Sequence, residues 1–113
     1  MERDRLKSGI WIQAQIRLCA IANLATYVVK KGDADAGAIF LRLNALDGTS
    51  CIYSQTRDMA GEIAWSQAGG GEPMDDMTAH EYLEKQRKYD PDLWILEIED
   101  PEGKYQFDGA ILK

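Results

Sequence analysis

The sequence predicts an α+β domain in which two helices pack on a mainly antiparallel sheet of five or six strands. Three observations lead to this fold class. Apolar residues recur at helical spacing in two segments, they alternate with polar residues in the segments between and after them, and turn-forming residues separate the strands. The predicted order is α-ββββ-α-ββ, and a length of 113 residues indicates one domain, residues 1–113.

The first predicted helix runs from Ser8 to about Asn23. Ser8 is a suitable N-cap because its hydroxyl can accept a hydrogen bond from a first-turn amide. Ile12, Ile16 and Cys19 then form an apolar stripe at helical spacing. Asparagine tolerates the left-handed conformation, so Asn23 is a suitable terminator.

Four strands are predicted next. They cover residues 25–31, 38–45, 50–56 and 62–67. In the second of them Ile39 and Leu41 lie on one face and Arg42 on the other, which indicates the face that enters the core. The Asp47-Gly48 pair is typical of a type I′ turn, whose two central residues have positive φ. We expect three successive hairpins, which together make an antiparallel meander.

A second helix and two further strands complete the predicted fold. Thr78 and Glu81 match a capping box at the start of the helix, and Pro91 predicts that the helix ends just before it. Residues 92–100 predict a strand whose first half is apolar on both faces, which favours a central position in the sheet. Residues 104–108 predict a short last strand after a turn that contains proline and glycine.

The charge of the chain argues against nucleic-acid binding. Nineteen acidic residues oppose thirteen basic ones, for a formal net charge of −6, whereas phosphate binding depends on clustered lysine and arginine. No apolar run approaches the ~18 residues of a membrane span, and the N-terminal residues lack a secretory pattern. We therefore expect an acidic, cytoplasmic protein that contacts neither nucleic acid nor membrane.

Four short stretches resemble a known family. They are LKSGIW (residues 6–11), GDADAGA (32–38), LDGT (46–49) and DPDLW (90–94). With these stretches, in this order, the chain resembles over nearly its whole length the short alphaproteobacterial family catalogued as domain of unknown function 1491. The resemblance implies a stand-alone, cytoplasmic bacterial protein with no assigned activity. It implies no catalytic residue, binding residue or cofactor.

Asp33 and Asp35 are the first candidate binding residues, between Gly32 and Gly37. The Asp-x-Asp spacing is that of the opening of a calcium loop, but the fifth and twelfth positions of such a loop hold Gly37 and Asn44 instead of ligands. Aspartates next to glycines also favour turns, because their carboxylates bond nearby backbone amides. We favour a turn, with a ligand-binding role as the alternative.

No catalytic residue, metal site or cofactor is predicted. His80 is the only histidine, and Cys19 and Cys51 have no metal-binding spacing. In a reducing cytoplasm both cysteines are expected to be small buried apolar residues. The glycines at 69–71 lack the lysine and hydroxyl of a phosphate loop, so we interpret them as a linker. An enzyme is the less favoured class.

Arg42, Arg57 and Trp65 complete the candidate binding residues. Arginine and aromatic side chains are enriched at interface hot spots, and Arg42 with Trp65 would form such a set if one face of the sheet were open. We favour the alternative in which helices cover both faces, the aromatic residues lie in the core and Arg42 reaches a carboxylate at the rim.

Two functions remain open. The leading hypothesis is a non-enzymatic module that binds another protein or associates with itself as a possible homodimer. The alternative is a small enzyme or small-molecule binder whose pocket lies between the turn at residues 32–37 and the glycines at 69–71, with Asp33, Asp35 and Arg57 as polar groups. An exposed sheet edge or apolar patch favours the first. A pocket in which those carboxylates converge with Arg57 favours the second.

Overall fold

The computed structural model describes residues 6–112, which form two helices and seven strands. The elements are α1 (Ser8–Ile21), β1 (Thr26–Lys30), β2 (Ile39–Asn44), β3 (Thr49–Arg57), β4 (Ile63–Gln67), β5 (Met74–Asp75), α2 (Asp76–Tyr89), β6 (Trp94–Glu99) and β7 (Ala110–Leu112). A short 3-10 turn, Ala68–Gly71, links β4 to β5. The predicted α+β class is confirmed.

All strands belong to one sheet in the order β1-β6-β2-β3-β4-β7, and the two-residue β5 pairs with one end of β3. The β1–β6, β2–β3 and β3–β4 pairs are antiparallel. The β2–β6 and β4–β7 pairs are parallel. The sheet is therefore mixed, and the predicted meander holds only from β2 to β4.

The position of β6 is the main difference from the expected topology. A hairpin between β1 and β2 was the wrong prediction, because β6 lies between them and pairs with both. The central position of β6 is confirmed, and its composition explains it. Trp94, Leu96 and Ile98 enter the core on one face, while Ile95 enters the core on the other, so both faces of this strand need cover.

The C-terminal segment also differs from the prediction. Residues 104–108 do not form a strand, and the last strand is β7, which runs parallel to β4. Tyr105 and Phe107 alternate as they would in a strand, and both pack against the core below α1. The apolar alternation of this segment therefore reflects core contacts of its side chains and not a hydrogen-bonded ladder.

The N-cap of α2 lies three residues before the predicted one. The N-cap is Asp75, whose Oδ1 accepts a hydrogen bond from the Thr78 amide at 2.7 Å. Thr78 is thus inside the first turn, and its predicted role as the cap is wrong. Aspartate is at least as good an N-cap as threonine, so the earlier residue takes this position. The end at Tyr89, before Pro91, agrees with the prediction.

Ser8 is the first residue of α1 and not its N-cap. Lys7 holds the cap position and makes no side-chain capping bond. The Ser8 hydroxyl donates instead to the carbonyl oxygen of Gly37 at 2.6 Å, and the Gly9 amide donates to the carbonyl oxygen of Ala34 at 2.9 Å. A distant turn therefore supplies the acceptors that a local cap usually supplies.

Among residues 6–112, two non-glycine residues have positive φ, and both lie next to a turn. Asn23 follows α1 with φ of 62°, as its sequence position predicts. Leu46 and Gly48 have φ of 62° and 90° in the β2–β3 connection, whereas Asp47 does not. The predicted type I′ turn at Asp47-Gly48 is therefore wrong. The Asn44 side chain accepts a hydrogen bond from the Leu46 amide at 2.8 Å, which holds this different loop.

Each face of the sheet packs against one helix. On the first face Trp11, Ile12 and Cys19 of α1 meet the larger of two buried clusters, which contains Trp65 and Leu41. On the second face Ala79 and Leu83 of α2 meet a smaller cluster that contains Ile52, Leu93 and Ile95. This two-sided cover decides which of the candidate residues reach the surface.

Candidate functional site

A cavity of about 410 Å³ opens at the end of the sheet where β2 begins and β3 ends. Its wall includes Asp35 and Gly37 from the connection before β2, Ile39 from β2, and Gln55 and Arg57 from β3. The cavity has the volume of a site for a small metabolite. It brings together two of the predicted binding residues, Asp35 and Arg57.

Asp33 has the geometry of a turn residue and does not line this cavity. Its Oδ2 accepts hydrogen bonds from the amides of Asp35 and Ala36 at 3.1 and 2.8 Å. Its carbonyl oxygen accepts a hydrogen bond from the indole of Trp94 at 2.7 Å. The Asp35 carboxylate is exposed and lies 3.6 Å from the ammonium of Lys7. The two carboxylates therefore do not converge on one ligand position.

Two glycines let this turn approach the start of β6. A Cβ atom at Gly32 or at Gly37 would collide with the carbonyl oxygen of Asp92. The amide of Asp33 donates to that same oxygen at 2.9 Å. Both glycines are therefore required for close approach rather than for a left-handed conformation. The turn that they shape forms one wall of the cavity.

Arg57 and Gln55 form the opposite wall. Nη1 of Arg57 donates to the carbonyl oxygen of Gly61 at 3.1 Å, and no carboxylate among residues 6–112 pairs with this guanidinium. Nε2 of Gln55 exposes less than 1 Å² and has no hydrogen-bond partner in the described part of the chain. Sequence reasoning missed Gln55, because a glutamine on a strand carries no local signal of its unmet hydrogen bond.

The glycines at 69–71 do not border the cavity. They follow Gln67, which pairs with Tyr53, whereas Arg57 pairs with Ile63 at the other end of β3. Four residues of strand between Tyr53 and Arg57 correspond to about 13 Å. The sequence predicted a pocket between the turn at residues 32–37 and these glycines. The turn does line the cavity, but the glycines do not, so that part of the prediction is wrong.

Arg42 lies on the α2 face of the sheet and is 13% exposed. Its Nε donates to Oγ of Ser50 at 3.0 Å, and its Nη2 donates to Oδ1 of Asp76 in the first turn of α2 at 3.1 Å. Its Nη1 lies 3.9 Å from a carboxylate oxygen of Glu97 in β6. These contacts are those of a side chain that joins α2 to the sheet.

Trp65 lies on the opposite face and is fully buried below α1. Its indole donates to Oδ1 of Asp108 at 3.1 Å, and the indole of Trp11 donates to Oδ2 of the same carboxylate at 2.8 Å. Arg42 and Trp65 therefore share no surface. Asp108 was missed from the sequence, because its partners are 43 and 97 residues away.

The remaining titratable candidates do not assemble into a catalytic group. His80 is exposed on α2. Burial raises the pKa of the Cys19 and Cys51 thiols, so both are protonated at neutral pH and are weak nucleophiles. In the described ranges, no group of three or more His, Cys, Asp and Glu side chains is placed to hold a metal ion. None of the helices found there is long and apolar enough to span a membrane.

The edge strand β1 exposes apolar side chains. It is the first strand in the sheet order, and within residues 6–112 it pairs with β6 alone. Tyr27, Val28 and Val29 are 51%, 44% and 47% exposed. An irregularity in the pairing with β6 lies between Val28 and Lys30. An exposed apolar edge without pairing is a place where another strand can add.

Together these features define a small α+β domain protein with a mixed sheet between two helices, an unpaired apolar edge and a polar cavity at one end of the sheet. The model of the family described as "Protein of unknown function (DUF1491)" matches residues 6–108. The chain belongs to this DUF1491 family, and the resemblance seen in its sequence is confirmed.

Solved structures of family members have the same fold. The crystal structure of a DUF1491 protein from Caulobacter crescentus is similar, with 29% identity and a TM-score of 0.84 over 96% of this chain and 100% of that one. An NMR structure of a DUF1491 protein from the same organism is 28% identical, with a TM-score of 0.81 over 98% of this chain and 100% of that one. The solution structure of protein Atu0922 from A. tumefaciens is 33% identical, with a TM-score of 0.72 over 88% of this chain and 89% of that one. A search of curated proteins finds no match.

Proposed function

We propose that the protein is a non-enzymatic module that associates with itself, and that a second copy pairs with it along β1. The observation that carries this proposal is the unpaired edge of β1 with its three exposed apolar residues. Two identical edges related by a two-fold axis form an antiparallel pair, which is the usual symmetry of a homodimer. A continuous sheet across two copies then satisfies both edges.

The hydrogen bonds of β1 define which of its backbone groups are free. The amide of Glu99 donates to the carbonyl oxygen of Ala25 at 2.9 Å. In an antiparallel ladder, residues alternate between those that bond the neighbouring strand and those that point away from it. The backbone groups of Thr26 and Val28 therefore point away from β6, and no residue from 6 to 112 bonds them.

This alternation favours one register for the dimer. If the two-fold axis passes next to Tyr27, Thr26 of each copy exchanges backbone hydrogen bonds with Val28 of the other. The two Tyr27 rings then lie opposite each other, a pairing worth about 0.2–1 kcal/mol. The two Lys30 ammonium groups lie about 20 Å apart, since six residues separate them along the pair, and salt screens their repulsion at that distance.

The dimer is expected to be weak. The irregularity between Val28 and Lys30 limits the straight part of the edge to a few residues. A short strand pair buries less than the ~1,200 Å² of most stable complexes. We therefore expect a dissociation constant on the order of 10–100 μM, with monomer and dimer both present at laboratory concentrations.

Sedimentation equilibrium over a range of concentrations tests this proposal, with two variants at one position. Val28→Pro removes an outward amide without removing a bond to β6, so it should abolish the dimer. Val28→Thr is the matched control, because it keeps the amide and the β-branched shape, and it should dimerise like the original chain. A chain that stays monomeric at about 1 mM would rule out self-association of this strength. Equal dimerisation of both variants would rule out the β1 edge.

We also propose that the chain acts as a single domain in the bacterial cytoplasm and binds no nucleic acid. Cys19 and Cys51 are both free thiols, which suits a reducing compartment. The net charge of −6 opposes phosphate binding. Fractionation of the native cells tests the location, and recovery of the chain in the periplasm would contradict it.

A further inference from the structure

We infer that the cavity between Asp35 and Arg57 binds a small molecule that carries one carboxylate group. The inference goes beyond self-association, because the cavity lies on β2 and β3 and shares no residue with the β1 edge. It rests on three observations made on residues 6–112: a cation without a carboxylate partner, a side-chain amide without a hydrogen bond, and a cavity of about 410 Å³ that both of these residues line.

Arg57 is the cation that would bind the carboxylate. Its guanidinium has five N–H donors, and the structure shows one bond, from Nη1 to Gly61. Asp35, the carboxylate residue in the cavity wall, forms an exposed ion pair with the Lys7 ammonium at 3.6 Å. Arg57 therefore leaves the cavity with one positive charge not matched by a described carboxylate. A guanidinium fork matches the two oxygens of a carboxylate.

Gln55 supplies the second polar contact. Its Nε2 is out of reach of water and lacks a partner in residues 6–112, although buried polar groups are nearly always bonded. The residue lines the same cavity as Arg57, two positions earlier on β3. Rotation of the terminal amide presents either a donor or an acceptor to a molecule in the cavity. A ligand in the cavity reaches this nitrogen only after such a rotation, because Nε2 exposes less than 1 Å² in the structure.

The rest of the wall defines the size and charge of the ligand. A cavity of about 410 Å³ suits a small organic acid with a short body. The net charge of −6 disfavours a doubly charged anion such as phosphate. The first-turn amides of α1 do not compete as an anion site, because carbonyl oxygens of Ala34 and Asp35 already accept from Gly9 and Ser8.

An NMR titration of the full chain tests this inference with three probes: isobutyrate, its neutral amide isobutyramide, and inorganic phosphate. We expect isobutyrate to produce saturable shifts in the Gln55 side-chain amide and the Arg57 Nε–H signal, with a dissociation constant on the order of 1 mM. Isobutyramide and phosphate should bind at least tenfold more weakly. Shifts that do not saturate, or stronger binding of phosphate, would overturn the assignment of a carboxylate site.

Two variants connect the binding to the named residues. Arg57→Gln should weaken isobutyrate binding at least tenfold, whereas Arg87→Gln removes the same charge from α2, away from the cavity, and should leave binding unchanged. Gln55→Met keeps the length of the side chain without its polar atoms and should also weaken binding. Equal losses in the Arg57 and Arg87 variants would indicate a general charge effect and would refute the site. If Arg57→Gln fails to fold, Arg57→Lys replaces it: this variant keeps the charge but loses the fork that matches a carboxylate, so binding should still weaken, and unchanged binding would refute the bidentate contact.

Discussion

Replacement of Asp108 should destabilise the protein more than its surface position suggests. Its carboxylate accepts one hydrogen bond from Trp11 and one from Trp65, and these indoles belong to side chains that are 3% and 0% exposed. Asp108→Ala leaves both donors without their acceptor. A buried donor left without a partner costs ~1–3 kcal/mol.

The magnitude depends on how well water replaces the lost carboxylate. Asp108 itself is exposed, so water can reach the vacated position and each loss should fall near the lower end of that range. We therefore expect Asp108→Ala to lower the free energy of unfolding by about 2 kcal/mol. For a domain of this size that corresponds to a fall in Tm of about 10 °C.

Urea unfolding followed by tryptophan fluorescence measures this loss. Asp108→Asn is the matched comparison, because it keeps one acceptor oxygen and replaces the other with a donor that faces an indole N–H, so we expect an intermediate loss. In a Trp11→Phe background, which has one donor fewer, Asp108→Ala should cost less than in the original chain. A loss below about 0.5 kcal/mol in the original chain, the size of an ordinary surface substitution, would refute the two indole bonds.

Two further predictions concern the helix cap and the turn beside the cavity. Asp75→Ala should lower Tm more than Thr78→Ala, because the Asp75 side chain is the cap. Hydrogen bonds from Thr78 lower the pKa of Asp75, so its contribution is present above the unfolded pKa of ~3.9 and is lost as the pH falls through the folded value. The Tm difference between Asp75→Ala and the original chain should thus shrink at acid pH, and a constant difference would contradict it. Gly37→Ala should lower the free energy of unfolding by about 1–3 kcal/mol, because its Cβ would collide with the Asp92 carbonyl oxygen. Urea unfolding measures this loss, and an unchanged urea midpoint would show that the turn can move.

Local sequence patterns located most of the secondary structure. Helical spacing and Pro91 place both helices within three residues of their observed ends, because the apolar stripe and the proline act within a few residues. The cap of α2 and the β2–β3 turn were misassigned within a few residues, whereas two other errors concern contacts with distant partners. Ser8 appeared to be a cap because its distant acceptor, Gly37, cannot be identified from spacing. Residues 104–108 appeared to be a strand because core contact produces the same alternation as a ladder.

The candidate site was predicted less completely than the fold. Asp35 and Arg57 do line one cavity, as the small-molecule alternative required, but Asp33 and the glycines at 69–71 do not. Arg42 and Trp65 lie on opposite faces of the sheet. Side-chain periodicity shows that two residues differ in face, but only the packing of the helices shows which face each one covers. The binding roles of all these residues remain predictions.

The sequence alone determined the class of the domain, the positions of its helices and the apolar character of both faces of β6. These features depend on neighbours a few residues apart. The tertiary structure decided that β6 lies between β1 and β2, which leaves β1 as an unpaired edge. It also placed Gln55 and Arg57 opposite Asp35, and Asp108 between two indoles. The physical reason is that strand order and buried polar contacts depend on the relative stability of whole packed arrangements, which no local pattern specifies.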